Sequence, residues 1–365
     1  MKNVEKIVFL SGNGNHQLGS EILKELSELL GENCEFDHIN YNDWPDGEPD
    51  DRIVKYEKIK GKTVVFYQSI YSQELQTEAF DLIWAIKHQY GAKYVIAIFP
   101  FFWNRRQDPI SNENEKEGPW SKKILKPDEI KRLERSIHLF SVCGVNEMMV
   151  ATPHSNAMSK LCKKYNIVFH EINPASLFAT KINTFVRLED RNKLRTYAPD
   201  IGSMERAIEM GRIFNCPVLF NQKNRAINSE ISIVQKEENE IKELILELKK
   251  FYKFEDIHHM THELVQDNIM IMVEDEIASG TTANDTGRLL QGTKAKSIIL
   301  VATHTVLTPG WRNKLFNKNP FEKIIVTNTI YRGYEKRTGG LIIDISVASL
   351  FADSLFQILK SLENK

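Results

Sequence analysis

An α/β architecture of two similar domains, each a mainly parallel sheet flanked by helices, is the fold class that the 365-residue chain predicts. Three observations carry it. Short β-branched runs alternate with amphipathic helical stretches, the order expected when parallel strands are joined by right-handed crossovers. Runs such as IMIMV, SIILVA and VVFY are apolar without alternation, as strands buried on both faces of a sheet are. The length fits two domains of ordinary size.

In chain order, the apolar runs place strands at 6–10, 63–68, 94–99, 147–151, 217–220, 269–273, 297–302, 323–327 and 341–345. Helical spacing places helices at 16–30, 74–89, 128–143, 204–214, 283–291 and 346–362. The boundary between the two units is expected near 155–165, giving an N-terminal unit 1–160 and a C-terminal unit 161–345. The last helix, 346–363, is expected to pack back on the first unit. Two segments interrupt the alternation. Residues 112–126 are polar and loop-like, and 229–250 is a charged amphipathic helix with Ile241, Leu244 and Leu248 on one stripe. That helix reads as a solvated insertion rather than a catalytic element.

Composition excludes several classes. Hydrophobic residues make up 42% and charged residues 27%, enough for each half to bury a core. A net charge of -1 argues against a nucleic-acid partner and against electrostatic attachment to a membrane. No apolar run reaches the roughly 18 residues of a membrane span. The N-terminal apolar run is too short for a signal peptide, so a cytoplasmic location is expected. Cys34, Cys143, Cys162 and Cys216 lie far apart and read as buried free thiols. His258, His262 and Glu263 in HHMTHE come near zinc-like spacing, but a strand leading into the next acidic segment is the better reading.

In open parallel sheets, ligands sit beyond the carboxyl ends of strands. The segment IMIMVEDEIASGTT (269–282) therefore stands out. An apolar strand ends in three acids, followed by a small-residue turn and a helix. Backbone N–H groups in such a turn, with a helix N-terminus behind them, cradle an anion, and carboxylates at the strand end accept hydrogen bonds from ribose hydroxyls. Ribose-phosphate binding is the chemistry these residue types suit.

This segment resembles the phosphoribosyl-diphosphate loop of type I phosphoribosyltransferases, and more closely that of the ribose-phosphate diphosphokinases. The resemblance runs over nearly the whole chain. It is carried by FLSGNGNHQLGSEI (9–22), WPDGEPDDRI (44–53), VVFYQS (64–69), IFPFFWNRRQD (98–108), APDIGSMERA (198–207), ATHTVLTPG (302–310) and VTNTI (326–330). It implies two phosphoribosyltransferase-type domains, a magnesium cofactor, and ATP as co-substrate. It implies an assembly of identical subunits, dimeric or hexameric. By the same resemblance, Asp46, Glu48, Arg106, Gln107 and Asp108 contact ATP, and His154 and Asp200 bind magnesium directly or through water. Lys223 and Arg225 are the cations of a catalytic loop, with His154 the third catalytic residue. Glu274 and Asp275 hold the ribose hydroxyls, while Ser279, Gly280, Thr281 and Thr282 cradle the 5-phosphate.

The chain departs from the family pattern D-D-x-x-D-T-G-G-T at several places. Glu274 replaces the first Asp, Ala278 the third, and Thr281 the second Gly, while Thr152 replaces an acid two residues before His154. Loss of an acid at 278 and of glycine at 281 suits a bridging phosphate with a substituent better than a terminal dianion. A relative in phage NAD-rebuilding pathways uses ADP-ribose as acceptor, and that reading is preferred over ribose 5-phosphate. A non-catalytic regulatory homologue is the further alternative, against which Lys223, Arg225, His154 and Asp200 speak. A plain phosphoribosyltransferase is disfavoured by PDGE and RRQD.

Overall fold

The computed structural model describes residues 7–106, 130–221, 232–331 and 333–363. Its strands, in chain order, are β1 (Ile7–Ser11), β2 (Ile39–Asn40), β3 (Arg52–Ile53), β4 (Thr63–Tyr67), β5 (Tyr94–Phe99), β6 (Glu147–Ala151) and β7 (Val168–Ile172). They continue as β8 (Leu194–Ala198), β9 (Val218–Phe220), β10 (Ile257–His259), β11 (Ile269–Ile277), β12 (Ser297–Thr305), β13 (Lys323–Thr327) and β14 (Ile342–Ile345). Among the described residues they form two sheets and a hairpin. The first sheet has the order β1-β4-β5-β6-β7, and the second β10-β9-β8-β11-β12-β13-β14. Every pairing within these sheets is parallel; only the β2–β3 hairpin is antiparallel.

The continuous apolar runs explain the layers. Val64, Val65 and Phe66 on β4 and Met270, Ile271 and Met272 on β11 are all buried, and alternate residues enter cores on opposite faces of their sheet. Helices cover both faces, as all-parallel sheets require. The helix Ala348–Glu363 lies against the helix His16–Leu30, and its Phe351, Leu355, Ile358 and Leu359 belong to the first sheet's core. Burying each such side chain contributes roughly 1.5–3 kcal/mol, so this apolar face docks the C-terminal helix against the first sheet's core.

The changeover between units differs from the expected one. A boundary at 155–165 would cut the helix Ala157–Lys164, whose Ala157, Met158 and Cys162 join the first core. The chain then adds β7 beside β6 and leaves the first sheet only after Ile172. β7 escaped notice because it is an edge strand, VFHEI, with polar residues and an exposed start. The 229–250 segment also differs. The helix Ser232–Tyr252 is the crossover between β9 and β10, and its Leu248 is fully buried with Leu244 and Ile245 beside it. It closes one face of the second sheet rather than standing as a solvated insertion. All four cysteines are buried and free. No helix among the described residues is long and apolar enough to cross a membrane. The 112–126 loop lies outside the described residues.

Candidate active site

The two units meet through residues that end or follow their strands. The hydroxyl of Ser69, just beyond β4, donates to the carbonyl of Thr329 at 2.6 Å, and Asn15 Nδ2 donates to the carbonyl of Asn328 at 2.7 Å. Gly14 lets the loop after β1 lie against the end of β4: a Cβ there would lie 2.2 Å from the Ser69 carbonyl oxygen. Thr152, after β6, shares a 2.8 Å hydroxyl contact with Thr303 on β12. Its φ of 36° is strained for a β-branched residue.

A cavity of about 440 Å3 opens at this seam. Its walls take Arg106 and His154 from the first unit and Asp200, Glu274, Asp275 and Glu276 from the second. The turn Ala278, Ser279 and Gly280 and the start of the next helix, with Thr282, complete it. Gly280 caps the helix Thr281–Gly292 with φ 81°, and a Cβ there would come within 2.8 Å of Leu315, so glycine is required. The Ser279 hydroxyl donates to that of Thr281 at 3.1 Å and accepts from the Thr281 amide at 3.3 Å, folding the turn over the helix N-terminus. Amides and a helix start directed this way form an anion cradle. A larger cavity, about 740 Å3, lies beside the helix His16–Leu30, but it has neither the acidic strand end nor this turn.

The three acids of β11 have separate tasks. Glu274 is half-buried on the cavity wall. Asp275 is buried: its Oδ2 meets His154 Nδ1 at 2.6 Å, its Oδ1 accepts from the Glu276 amide at 2.8 Å, and Arg206 stands 3.9 Å away. Glu276 forms ion pairs with both Arg105 and Arg106. Burial acts to raise the Asp275 pKa, but the His154 hydrogen bond and the Arg206 charge outweigh it and hold the carboxyl at about 2. Asp275 is therefore an anion at neutral pH. It orients the His154 ring and leaves Nε2 as the nitrogen turned to other work.

Asp200 is exposed at the cavity edge, where its Oδ1 accepts from the Ser203 amide at 3.1 Å. Among the described residues there is no group of three or more metal-ligating side chains. The donor set still fits magnesium, which takes one or two carboxylates and completes its shell with phosphate oxygens and water. In HHMTHE, His258 pairs with Asp256 at 2.6 Å on edge strand β10 and His262 begins a short helix.

Most expected site residues thus converge. Asp46 and Glu48 do not: they occupy an exposed turn of the β2–β3 hairpin and border no part of this cavity. Thr281 is exposed at the helix start and lies just outside the lining. Gln107, Asp108, Lys223 and Arg225 lie outside the described residues. Arg105, Arg206, Glu276 and His304 were not singled out from the sequence. All four stood inside segments that could have marked them: Arg105 in RRQD, Arg206 in APDIGSMERA, Glu276 in IMIMVEDEIASGTT and His304 in ATHTVLTPG.

His304 ties the seam together. It is buried, its Nε2 donates to the carbonyl of Ala151 at 3.1 Å, and the Thr329 hydroxyl lies 2.9 Å from its Nδ1. Burial first, and the Arg105 charge second, lower its pKa from the ordinary 6.5 to about 3. The folded chain keeps this imidazole neutral while the unfolded chain protonates it. Its contribution to stability is therefore lost as pH falls from about 6.5 towards about 3. His304→Gln should flatten the wild-type decline of unfolding free energy across that window in denaturant titrations. Parallel curves for the two proteins would show that this proton is not linked to folding.

The folds and the site together define a two-domain phosphoribosyltransferase-type α/β protein. Residues 7–124 match the family model described as the N-terminal domain of ribose phosphate pyrophosphokinase, and 258–363 match the phosphoribosyl synthetase-associated domain. A ribose-phosphate pyrophosphokinase from Methanothermobacter thermautotrophicus is 25% identical over 85% of this chain and 88% of its own. One from Porphyromonas gingivalis is 22% identical over 98% and 96%. The crystal structure of phosphoribosylpyrophosphate synthetase from Mycobacterium smegmatis shares the fold, with a TM-score of 0.72 at 18% identity, covering 98% of this chain and 99% of that one. The chain belongs to the ribose-phosphate pyrophosphokinase family and is an enzyme of the transferase class.

Proposed function

We propose that the protein transfers the β,γ-diphosphate of ATP to the anomeric hydroxyl of a ribose 5-phosphoryl compound and releases AMP. The observation that carries this is one cavity holding both Arg106, from the ATP-side motif, and the acid-and-turn segment 274–282 of the ribose side. In the reaction the anomeric oxygen bonds to the β-phosphorus, the bond from that phosphorus to the bridging oxygen breaks, and AMP leaves with the electron pair. The hydroxyl proton passes to solvent or to a nearby base. Such transfers need positioning and charge stabilisation more than covalent chemistry. Magnesium supplies charge neutralisation along the phosphates. In this reading Glu274 holds ribose hydroxyls, and the 279–282 turn, which lines the same cavity through Ser279, Gly280 and Thr282, holds the 5-phosphate. His154, oriented by Asp275, would help hold the cation through Nε2. Arg106, with Lys223 and Arg225 by sequence, stabilises the transferring group. With magnesium, ATP and acceptor, AMP is the expected nucleotide product, read by chromatography; ADP would identify a simple kinase instead.

ADP-ribose is the acceptor we favour, with ADP-ribose pyrophosphate as product and NAD rebuilding as context. Ala278 supports it: the residue lies on the cavity wall, where an acid would narrow the exit for a substituted phosphate. The helix Ser232–Tyr252 adds no support, since no described side chain of it borders the cavity. The second reading, ribose 5-phosphate as acceptor, is favoured by the names of the relatives. AMP release with each acceptor separately decides. We expect a higher kcat/KM for ADP-ribose, and a shift towards ribose 5-phosphate in Ala278→Asp/Thr281→Gly. A native preference for ribose 5-phosphate would establish the second reading.

A further inference from the structure

We propose that Glu276 is a positioning residue, a clamp on the ribose-side strand that fixes Arg106 of the ATP side at the cavity wall. The inference rests on the functional reading above, in which Arg106 meets ATP. Both carboxylate oxygens of Glu276 reach across the seam: one pairs with Arg105 and the other with Arg106, both from the opposite unit. Its side chain is 4% exposed, so the pairing is not a solvated surface contact of negligible worth.

The clamp is anchored at both ends. Glu276 sits in the β11–β12 ladder, in register with His304. Arg105 has little freedom: its side chain is 9% exposed and its guanidinium lies 4.2 Å from the centre of the Phe101 ring. Phe101 in turn meets His304 edge-on at 4.9 Å. The preceding residue, Asn104, is in the left-handed region at φ 65° and donates to Gln76 at 3.1 Å and Ser136 at 3.2 Å. Arg106 follows this pinned segment with a side chain 56% exposed, long enough to wander without an anchor.

Charge explains why an acid suits this position. Burial and the adjacent Arg106 charge lower the Arg105 pKa to about 10, so the Arg105 guanidinium remains cationic at neutral pH. Two adjacent cations repel each other, and one carboxylate between them removes the repulsion. The trio keeps a net positive charge, so it still attracts phosphate. A guanidinium has five N–H donors, more than one carboxylate oxygen takes up. Glu276 can therefore orient Arg106 without cancelling it.

A double-mutant cycle tests the clamp. Glu276→Gln, Arg106→Ala and the double variant are compared for calorimetric affinity towards magnesium with the imido analogue of ATP, and for AMP release. Glu276→Gln keeps the volume, and should weaken nucleotide affinity roughly tenfold, the lower end of what loss of an orienting partner costs. If Glu276 acts through Arg106, the double variant is no weaker than Arg106→Ala alone. Losses that multiply, or a Glu276→Gln affinity within twofold of wild type, would overturn the clamp. Should Glu276→Gln fold poorly, Arg105→Met/Glu276→Met removes both buried charges together. Restored thermal stability with affinity still low supports positioning; recovery of both shows that Glu276 only balances Arg105. A wild-type chain that binds the nucleotide but releases no AMP with either acceptor would sink the functional reading and leave the affinity cycle to judge the clamp.

Discussion

Asp275→Asn is expected to lower the kcat for AMP release by about two orders of magnitude or more while the chain stays folded, by analogy with other histidines deprived of their orienting carboxylate. The carboxylate faces His154 Nδ1 at 2.6 Å and is ionised at all ordinary pH values, its pKa being held at about 2. It therefore selects the tautomer with the proton on Nδ1 and the lone pair on Nε2. An asparagine can present its NH2 group to Nδ1 and favour the opposite tautomer. The effect should appear in kcat more than in KM for ATP, because a reoriented imidazole alters stabilisation of charge that develops during transfer. Circular dichroism and the melting temperature separate this from unfolding, since loss of an anion 3.9 Å from Arg206 also carries a stability cost. A folded variant with kcat within a few-fold of wild type would remove His154 and Asp275 from the catalytic machinery.

Lys223→Ala and Arg225→Ala should each reduce kcat by roughly two or more orders of magnitude and barely change ATP affinity, since charges that meet the transferring group act mainly in the transition state. In sequence the two cations follow the buried strand β9, which ends at Phe220. They lie outside the described residues, so this expectation rests on the FNQKNRA segment and its resemblance. Single-turnover kinetics with saturating magnesium-ATP would isolate the chemical step. An unchanged rate in both variants would assign the charge stabilisation to Arg106 and the cation alone.

The expectations that held share a physical property. Strands such as β5, β6 and β12 are buried on both faces, so continuous apolar runs announce them. The helices His16–Leu30 and Met204–Phe214 match their expected bounds because their apolar stripes have helical period and a left-handed residue ends each. The strands that escaped are those whose sequence reports a different neighbourhood. β7 is a polar edge strand, and β8, in LRTYA, has Arg195 and Thr196 inside it. β8 is nevertheless interior to its sheet, paired with both β9 and β11, and Arg195 satisfies itself on the carbonyls of Asn192 and Leu194. A local run cannot reveal that a polar side chain has such a backbone partner.

Read alone, the sequence determined the α/β class and its two sheet units, because periodic burial is a local property of a chain. Only the tertiary structure decided how the acids of β11 are shared. Three consecutive carboxylates look alike as letters, yet Asp275 turns to His154 and Arg206, Glu276 to Arg105 and Arg106, and Glu274 to the cavity wall. The structure also left Asp46 and Glu48 on a hairpin outside the cavity and moved the unit boundary beyond Ile172. Each of these depends on which strand ends face one another across the seam, a long-range arrangement set by the packing of two finished sheets and written in no single stretch of residues.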